Sequence, residues 1–350
     1  MRPARGRTLA GGTNARPIRG FTFNLWEPAV RLPLLLAAVA VASLSTPPVA
    51  AAQPRLNPVI DLLAAKQPVF GLYAPANRRM GRGAALPPDS VKSPLQLAQE
   101  AVAYTRADYL FDGSMEGNFD AGLTSFTAFA QGMDAAGMRQ GARFTHPLFV
   151  KTPEIGADVA TATQRIGQQL NLGVSGIVFV DVQSAAELEA GIKAMRFASA
   201  GGTRAPAVGD APARWGLSEK DYRARADVWP LNPKGELVNF AIVESKEGLA
   251  RVREIAQVKG IGVLFPGAGT LRGVFTSADA TGKRTFDEAA WEAAIQQVLA
   301  ACKEFKVPCG YPAGAPDIEM RMKQGFSVFG IGWGEQGFKA VELGRAAGGR

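Results

Sequence analysis

The run Gly176-Ile-Val-Phe-Val-Asp181 is the stretch that decides the fold class, because it is apolar up to its terminal aspartate. A strand that is apolar on both faces is buried on both faces, which is typical of a parallel sheet covered by helices. The run lies in the middle of the chain, so the same pattern can be followed outward in both directions.

Seven further short β-rich runs flank it, and amphipathic stretches separate them. The runs are 68–73, 109–112, 148–151, 239–244, 261–265, 308–311 and 326–330, and the helical patterns include 123–137, 158–172, 184–197, 247–257 and 287–305. Alternating strands and helices predict a parallel sheet, and right-handed crossovers can close eight such strands into a (β/α)₈ TIM barrel. A doubly wound open sheet is the alternative, but no G-x-G-x-x-G follows the first strand.

Two long segments interrupt this repeat, at residues 74–96 and 198–237. Loops of this length in a compact domain are usually functional or disordered. We expect both near the face where a barrel carries its active site. Trp215 and Trp229 indicate that the second segment is ordered.

Residues 1–52 have the three parts of a secretory signal. Six arginines and one acid, Glu27, accompany the apolar run 32–44, and small residues precede Gln53. This pattern predicts an exported chain, periplasmic or secreted, whose mature part is a single barrel domain over 53–350. The apolar run, of about 13 residues, is too short to span a bilayer, so we expect no membrane span after cleavage. An uncleaved signal anchor or a core helix is the alternative.

The net charge of +8 comes mostly from this leader, since the remaining chain has 33 basic and 30 acidic residues. The charge therefore does not predict a nucleic-acid partner. Cys302 and Cys309 are the only cysteines, too few for a disulfide scaffold. We expect them to stay unbridged, with a bridge between them as the alternative.

The run Asn239-Phe-Ala-Ile-Val-Glu-Ser-Lys-Glu-Gly-Leu249 resembles the strand of the HpcH/HpaI aldolase (citrate lyase-like) family that carries a metal-binding glutamate. Glu244 matches that glutamate. The resemblance extends from about Asn57 to the C-terminus and includes 69–73, 213–222 and 260–267. It implies a barrel that assembles as a homo-oligomer. It also implies carbon–carbon lyase chemistry next to pyruvate, with a divalent metal, Mg²⁺ or Mn²⁺, holding the enolate.

Several family positions carry other residues in this chain. The family's histidine base falls on Met115, or on Glu116 if the gap moves by one, and the aspartate that orients it falls on Asn171. The family's arginine becomes Lys151, and its second metal carboxylate falls on Gly269. The resemblance therefore implies an altered metal and base site.

The candidate site residues follow from these positions. Glu244 and Asp181 are the predicted metal ligands, both at carboxyl ends of strands. Lys151 is a predicted catalytic residue that stabilises an enolate, pairs with Glu244 in place of the ion, or forms a Schiff base. Glu116 is a predicted replacement base or second ligand, with a solvated loop acid as the alternative.

The turn after the sixth strand supplies the predicted substrate-binding residues. Backbone N–H groups of Gly267, Ala268 and Gly269 can cradle a substrate carboxylate, although a plain turn is the alternative. His146, the only histidine, precedes a strand and is predicted to be structural. We expect a lyase acting on a small-molecule 2-oxo acid or related carbonyl compound. A non-catalytic exported carboxylate-binding barrel, or unrelated chemistry on this scaffold, is the alternative.

Overall fold

The computed structural model describes residues 55–77 and 90–350, so the predicted leader lies outside the described residues. The eight barrel strands are β1 (Val69–Tyr73), β2 (Tyr109–Asp112), β3 (Leu148–Thr152), β4 (Gly176–Phe179), β5 (Leu237–Val243), β6 (Val263–Pro266), β7 (Gly310–Tyr311) and β8 (Val328–Ile331). All pair in parallel, from β1 to β6 in chain order, and β7 pairs with β8.

Two contacts close the ring. Val69 of β1 pairs with Val328 of β8, and Leu264 of β6 forms a parallel bridge with Cys309, next to β7. The predicted (β/α)₈ barrel is confirmed, and the pairing of first and last strands excludes the doubly wound alternative. All eight predicted strands are present.

The helices begin and end at residues suited to those positions. They are α1 (Pro58–Ala64), α2 (Pro94–Ala103), α3 (Phe119–Ala136), α4 (Val159–Asn171), α5 (Ala185–Met195), α6 (Ala211–Trp215), α7 (Glu219–Arg225), α8 (Lys246–Ala250), α9 (Val252–Ala256), α10 (Ala268–Val274), α11 (Glu288–Phe305), α12 (Ile318–Gln324) and α13 (Glu335–Ala347). Ser93 and Gln96 form a capping box that starts α2, and Gly137 ends α3 in the left-handed conformation. No helix in the described part of the chain is long and apolar enough to cross a membrane.

The interior of the barrel is filled by inward-facing side chains and is plugged at its amino end. Val59, Ile60 and Leu63 of α1 pack in the same buried cluster as the inward residues of the strands. Each such side chain contributes roughly 1.5–3 kcal/mol when removed from water. The ring of Tyr109 occupies the space where a side chain on Gly71 would lie. Large and small residues therefore alternate, as close packing of a barrel interior requires.

The segment 198–237 is ordered, as its tryptophans predict, and includes α6 and α7. Its predicted place beside the active site is wrong, because it follows α5 and precedes β5 and so lies at the amino ends of the strands. There it covers the end of α4. Trp215 donates from Nε1 to the carbonyl of Gly173 at 2.9 Å, and Tyr222 donates to that of Leu170 at 3.3 Å. These donors satisfy carbonyl groups that a helix end leaves free. Of the segment 74–96, residues 78–89 lie outside the described residues.

Cys302 and Cys309 form a disulfide, so the expectation that they stay unbridged is wrong. Cys302 lies in the last turns of α11, which ends at Lys306 in the left-handed conformation with φ 58°. That reversal returns the chain along the helix and brings the two Cα atoms to 5.6 Å. This separation is within the range that a disulfide spans.

Candidate active site

A cavity of about 190 Å³ opens at the carboxyl ends of the barrel strands. Its wall is mostly apolar and aromatic, with Phe111, Phe240 and Phe265 among its residues. Volumes of about 300–1,000 Å³ are usual for drug-sized ligands, so this cavity suits a smaller molecule. Polar groups converge at its mouth.

Lys151 brings a positive charge to this mouth from near the end of β3. Its Nζ donates to Oε2 of Glu116 at 2.7 Å, and its side chain is 14% exposed. Burial lowers the pKa of the Lys151 ammonium. The hydrogen bond and charge of Glu116, with weaker electrostatic interactions with Tyr73 and Glu244, outweigh that effect and raise the pKa overall. A lysine held in its charged form suits electrostatic stabilisation better than Schiff-base formation.

Glu244 lies directly after β5 and is 8% exposed. Its Oε1 accepts the backbone N–H of Asp181 at 3.3 Å. Burial raises the pKa of the Glu244 carboxyl, although the Thr270 hydroxyl and the Lys151 charge oppose the shift. Direct pairing of Glu244 with Lys151, one of the alternatives for these residues, is wrong, since the ion-pair partner of Lys151 is Glu116.

Asp181 reaches Glu244 through its backbone rather than its carboxylate. The Oδ2 atom of Asp181 accepts from Gln183 at 2.8 Å, and Oδ1 is buried with no protein partner. The residue has φ 41°, in the left-handed region. Such a conformation is uncommon for a residue other than glycine and often marks a functional site.

A divalent metal at this site would need oxygen ligands from the residues around Glu244. Mg²⁺ prefers several oxygen ligands and is usually held by one or two carboxylates with substrate oxygens and water. Among residues 55–77 and 90–350, no three His, Cys, Asp or Glu side chains are grouped so as to hold an ion. At the second family position, Gly269 offers no side chain, and the Asp181 carboxylate accepts a hydrogen bond from Gln183. Of the family's two metal carboxylates, this chain therefore retains Glu244.

The turn from β6 into α10 lines the same cavity with the predicted residues Gly267, Ala268 and Gly269. The N–H of Gly267 donates to the carbonyl of Val243 at 2.9 Å, so it is not available to a substrate. Ala268 and Gly269 begin α10, where N–H groups have no partner within the helix. Gly267 instead provides room, because a Cβ there would overlap Glu244.

Tyr73 is a member of the site that the sequence analysis missed. Its ring and the Lys151 side chain lie on the same side of Gly113, 3.8 Å and 3.6 Å from the point where a Cβ would stand. Burial raises the pKa of the Tyr73 hydroxyl, with the Lys151 charge opposing, so the phenol stays a donor. Its position at the carboxyl end of β1 is the one signal that could have identified it.

The predicted position of the family's base dyad holds different chemistry. Met115 is fully buried, and Gln169 donates from Nε2 to its Sδ at 3.5 Å and to the carbonyl of Lys151 at 2.7 Å. Asn171, expected to match the orienting aspartate, instead accepts from Arg204 at 3.0 Å. A thioether and an amide cannot take a proton near neutral pH. A proton acceptor at the mouth of the cavity is therefore the carboxylate of Glu116 or Glu244.

A barrel with such a site at its carboxyl face agrees with the comparisons to known proteins. The HpcH/HpaI aldolase/citrate lyase family profile matches residues 134–322, more than half of the chain. The chain belongs to this family, and its membership supports a carbon–carbon-lyase type of function. A search of curated proteins found no match.

Solved structures show the same fold at low sequence identity. A HpcH/HpaI aldolase/citrate lyase family protein from Burkholderia cenocepacia J2315 has a TM-score of 0.59 and 19% identity, over 83% of this chain and 96% of that one. The HpcH/HpaI aldolase from Desulfitobacterium hafniense DCB-2 has a TM-score of 0.54 and 15% identity, over 83% and 94%. Macrophomate synthase has a TM-score of 0.53 and 17% identity, over 85% and 89%.

Proposed function

We propose that this protein is a carbon–carbon lyase that cleaves or forms a bond next to the oxo group of a small 2-oxo acid. One observation carries the proposal. Lys151, charged and mostly buried, lies at the mouth of a small apolar cavity and is hydrogen-bonded to a carboxylate. A cation at this place stabilises the negative charge that develops on an enolate oxygen.

The residues present can divide the work of a retro-aldol cleavage. Glu116 accepts the proton of the substrate's 4-hydroxyl group, and the bond between C3 and C4 breaks to release an aldehyde. The electron pair moves to the 2-oxo oxygen, where the Lys151 ammonium and the Tyr73 hydroxyl stabilise the enolate. Glu116 then returns the proton to C3, which yields the shorter 2-oxo acid.

The substrate carboxylate is held in this scheme by the N–H groups of Ala268 and Gly269, with Glu244 beside them. Burial raises the pKa of the Glu244 carboxyl and so disfavours its charged form beside the substrate carboxylate. No step passes through a metal. Elemental analysis of the purified protein tests the predicted metal ligands, Glu244 and Asp181. Stoichiometric Mg²⁺ or Mn²⁺ in the wild type, and its loss in Glu244→Ala, would show that these residues hold an ion.

The decisive experiment measures release of the 2-oxo product from a set of 4-hydroxy-2-oxo acids by protein starting at Gln53. Replacement of Lys151 by Met is expected to lower kcat/KM by about 10²–10³-fold, the usual cost of removing a group that stabilises an oxyanion. Lys193→Met, on the exposed face of α5, is the matched control. Unchanged kcat/KM in Lys151→Met would show that Lys151 does not stabilise the enolate.

A non-catalytic carboxylate-binding barrel is the second candidate. The pairing of Met115 with Gln169 favours it, because the predicted base position cannot accept a proton. This alternative expects small 2-oxo acids to raise the melting temperature while no substrate is turned over. Turnover and thermal-unfolding measurements on the same purified protein therefore decide between the lyase and the binding protein.

We further propose that the chain is exported and acts outside the cytoplasm. The Cys302–Cys309 disulfide supports this, since such bonds persist mainly in oxidising compartments. N-terminal sequencing of the mature protein is expected to begin near Gln53, and an intact leader in cytosolic protein would contradict the proposal. Light scattering tests the predicted homo-oligomer.

A further inference from the structure

The floor of the cavity differs chemically from its mouth. The polar groups of Lys151 and Glu244 lie at the carboxyl ends of β3 and β5. Phe240 lies two inward-facing positions below Glu244 on β5, roughly 13 Å along the strand, and Tyr109 is the first residue of β2. The hydroxyl of Tyr109 donates to the carbonyl of Phe329 at 3.0 Å, so its proton is not available to a ligand. The floor therefore presents mainly carbon.

Three glycines on barrel strands, Gly71, Gly310 and Gly330, show where the floor of the cavity is open. A Cβ on Gly71 would overlap the ring of Tyr109, and a Cβ on Gly310 would overlap the ring of Phe265. Both spaces are filled by the protein. A Cβ on Gly330 would have only the Tyr109 hydroxyl oxygen near it, at 4.0 Å. Gly330 is thus the one of the three whose side-chain space stays open to the cavity.

The accessibility of β8 agrees with this reading. Phe329 and Ile331 are 0% and 1% exposed, while Gly330 between them is partly accessible and lines the cavity. Accessible surface in the middle of a buried strand belongs to a space inside the barrel. That space is bounded by Gly330, Tyr109, Phe240 and Val178, whose side chains bring no charge.

We propose that the site takes 2-oxo acids longer than pyruvate. The oxo group lies at Lys151, the carboxylate at the N–H groups of Ala268 and Gly269, and an alkyl chain is directed down to Gly330. This inference rests on the proposed function for the placement of the polar end. An alkyl group in the floor removes apolar surface from water at no cost to hydrogen bonding. Gly330 sets the length of chain that fits.

The test is calorimetric binding of pyruvate, 2-oxobutanoate and 2-oxopentanoate to the mature chain. Each added methylene is expected to lower Kd about fourfold, so 2-oxopentanoate binds roughly fifteenfold more tightly than pyruvate. In Gly330→Ala the added methyl occupies the floor, and the ratio is expected to fall to near one. Gly273→Ala, where no atom lies within 4 Å of the new Cβ, should keep the wild-type ratio. Thermal unfolding confirms that each variant is folded.

The outcomes separate this inference from the proposed function. Equal affinity across the series, or a ratio that survives in Gly330→Ala, overturns the alkyl pocket and leaves the lyase proposal standing. If Kd falls with each added methylene but no 4-hydroxy-2-oxo acid is turned over, the alkyl pocket stands and the lyase proposal is wrong. No binding of any 2-oxo acid overturns both.

Discussion

Glu116 and Lys151 are 35 positions apart in the chain, yet their Oε2 and Nζ atoms lie 2.7 Å apart at the mouth of the barrel. The loop after β2 and the end of β3 are neighbours only because the two strands pair. A proton acceptor and a cation held in contact neutralise each other in the free protein. In the proposed function, a substrate enters between these two groups.

Replacement of Glu116 by Gln tests its role as the base. The variant is expected to lose about 10²–10⁴-fold in kcat, the usual contribution of a positioned general base. The pKa of Lys151 should also fall, because Glu116 provides the largest influences that raise it. Steady-state kinetics and NMR titration of Lys151 measure the two effects. A lower Lys151 pKa with unchanged kcat would show that the ion pair of Glu116 and Lys151 is structural and that Glu116 is not the base.

Glu244→Gln is expected to stabilise the protein in a pH-dependent way. Burial raises the pKa of Glu244 above the ordinary value of 4.5, so the folded state disfavours ionisation. Below pH 4.5 the carboxyl is neutral in both states and its contribution is fully present. That contribution is lost as pH rises through the folded-state pKa.

Chemical unfolding between pH 4 and pH 8 measures this effect. The stability difference between Glu244→Gln and the wild type should be smallest near pH 4 and largest near pH 8. Glu189→Gln, an exposed position on α5, is the control and should show no such trend. A constant difference across the range would contradict the prediction.

Gly267→Ala is expected to destabilise the protein by about 1–3 kcal/mol, because the new methyl overlaps Glu244 and forces it to move. At Gly269 the space within 4 Å is empty, so Gly269→Ala should cost less. Urea unfolding at neutral pH compares the two variants. Equal stability of both would show that Glu244 is not confined by the turn.

Reduction of the Cys302–Cys309 disulfide is expected to lower the free energy of unfolding by about 2–3 kcal/mol, from the chain entropy of a loop this short. Unfolding with and without reductant measures the change. A variant with both cysteines replaced by Ala should match the reduced protein and respond to no reductant. A reductant effect that persists in that variant would point to another cause.

The strands and most helices could be predicted because local apolar patterns decide them. The run 176–181 is apolar for the same reason that β4 is buried on both faces. The position of 198–237 was mispredicted because length alone does not say which end of a barrel a segment covers. Its order in the chain, after a helix and before a strand, does say so.

The location of the candidate residues could be predicted one residue at a time, but the contacts between them could not. Strand ends identified Lys151, Glu244 and Asp181, since carboxyl ends of parallel strands meet at one face. Which carboxylate contacts Lys151 depends on how the loop after β2 folds back, and no local pattern encodes that. The disulfide was missed for a similar reason, because it depends on the left-handed turn at Lys306.

The pairing of Val69 with Val328 has a consequence for biosynthesis. During synthesis β1 is made first, but it can pair with β8 only after β8, the last strand, has left the ribosome. Until then β1 keeps an open edge, and the interior that α1 plugs is incomplete. Pairings this distant in sequence form slowly. A nascent chain of this design therefore cannot close its barrel until its last strand has been synthesised.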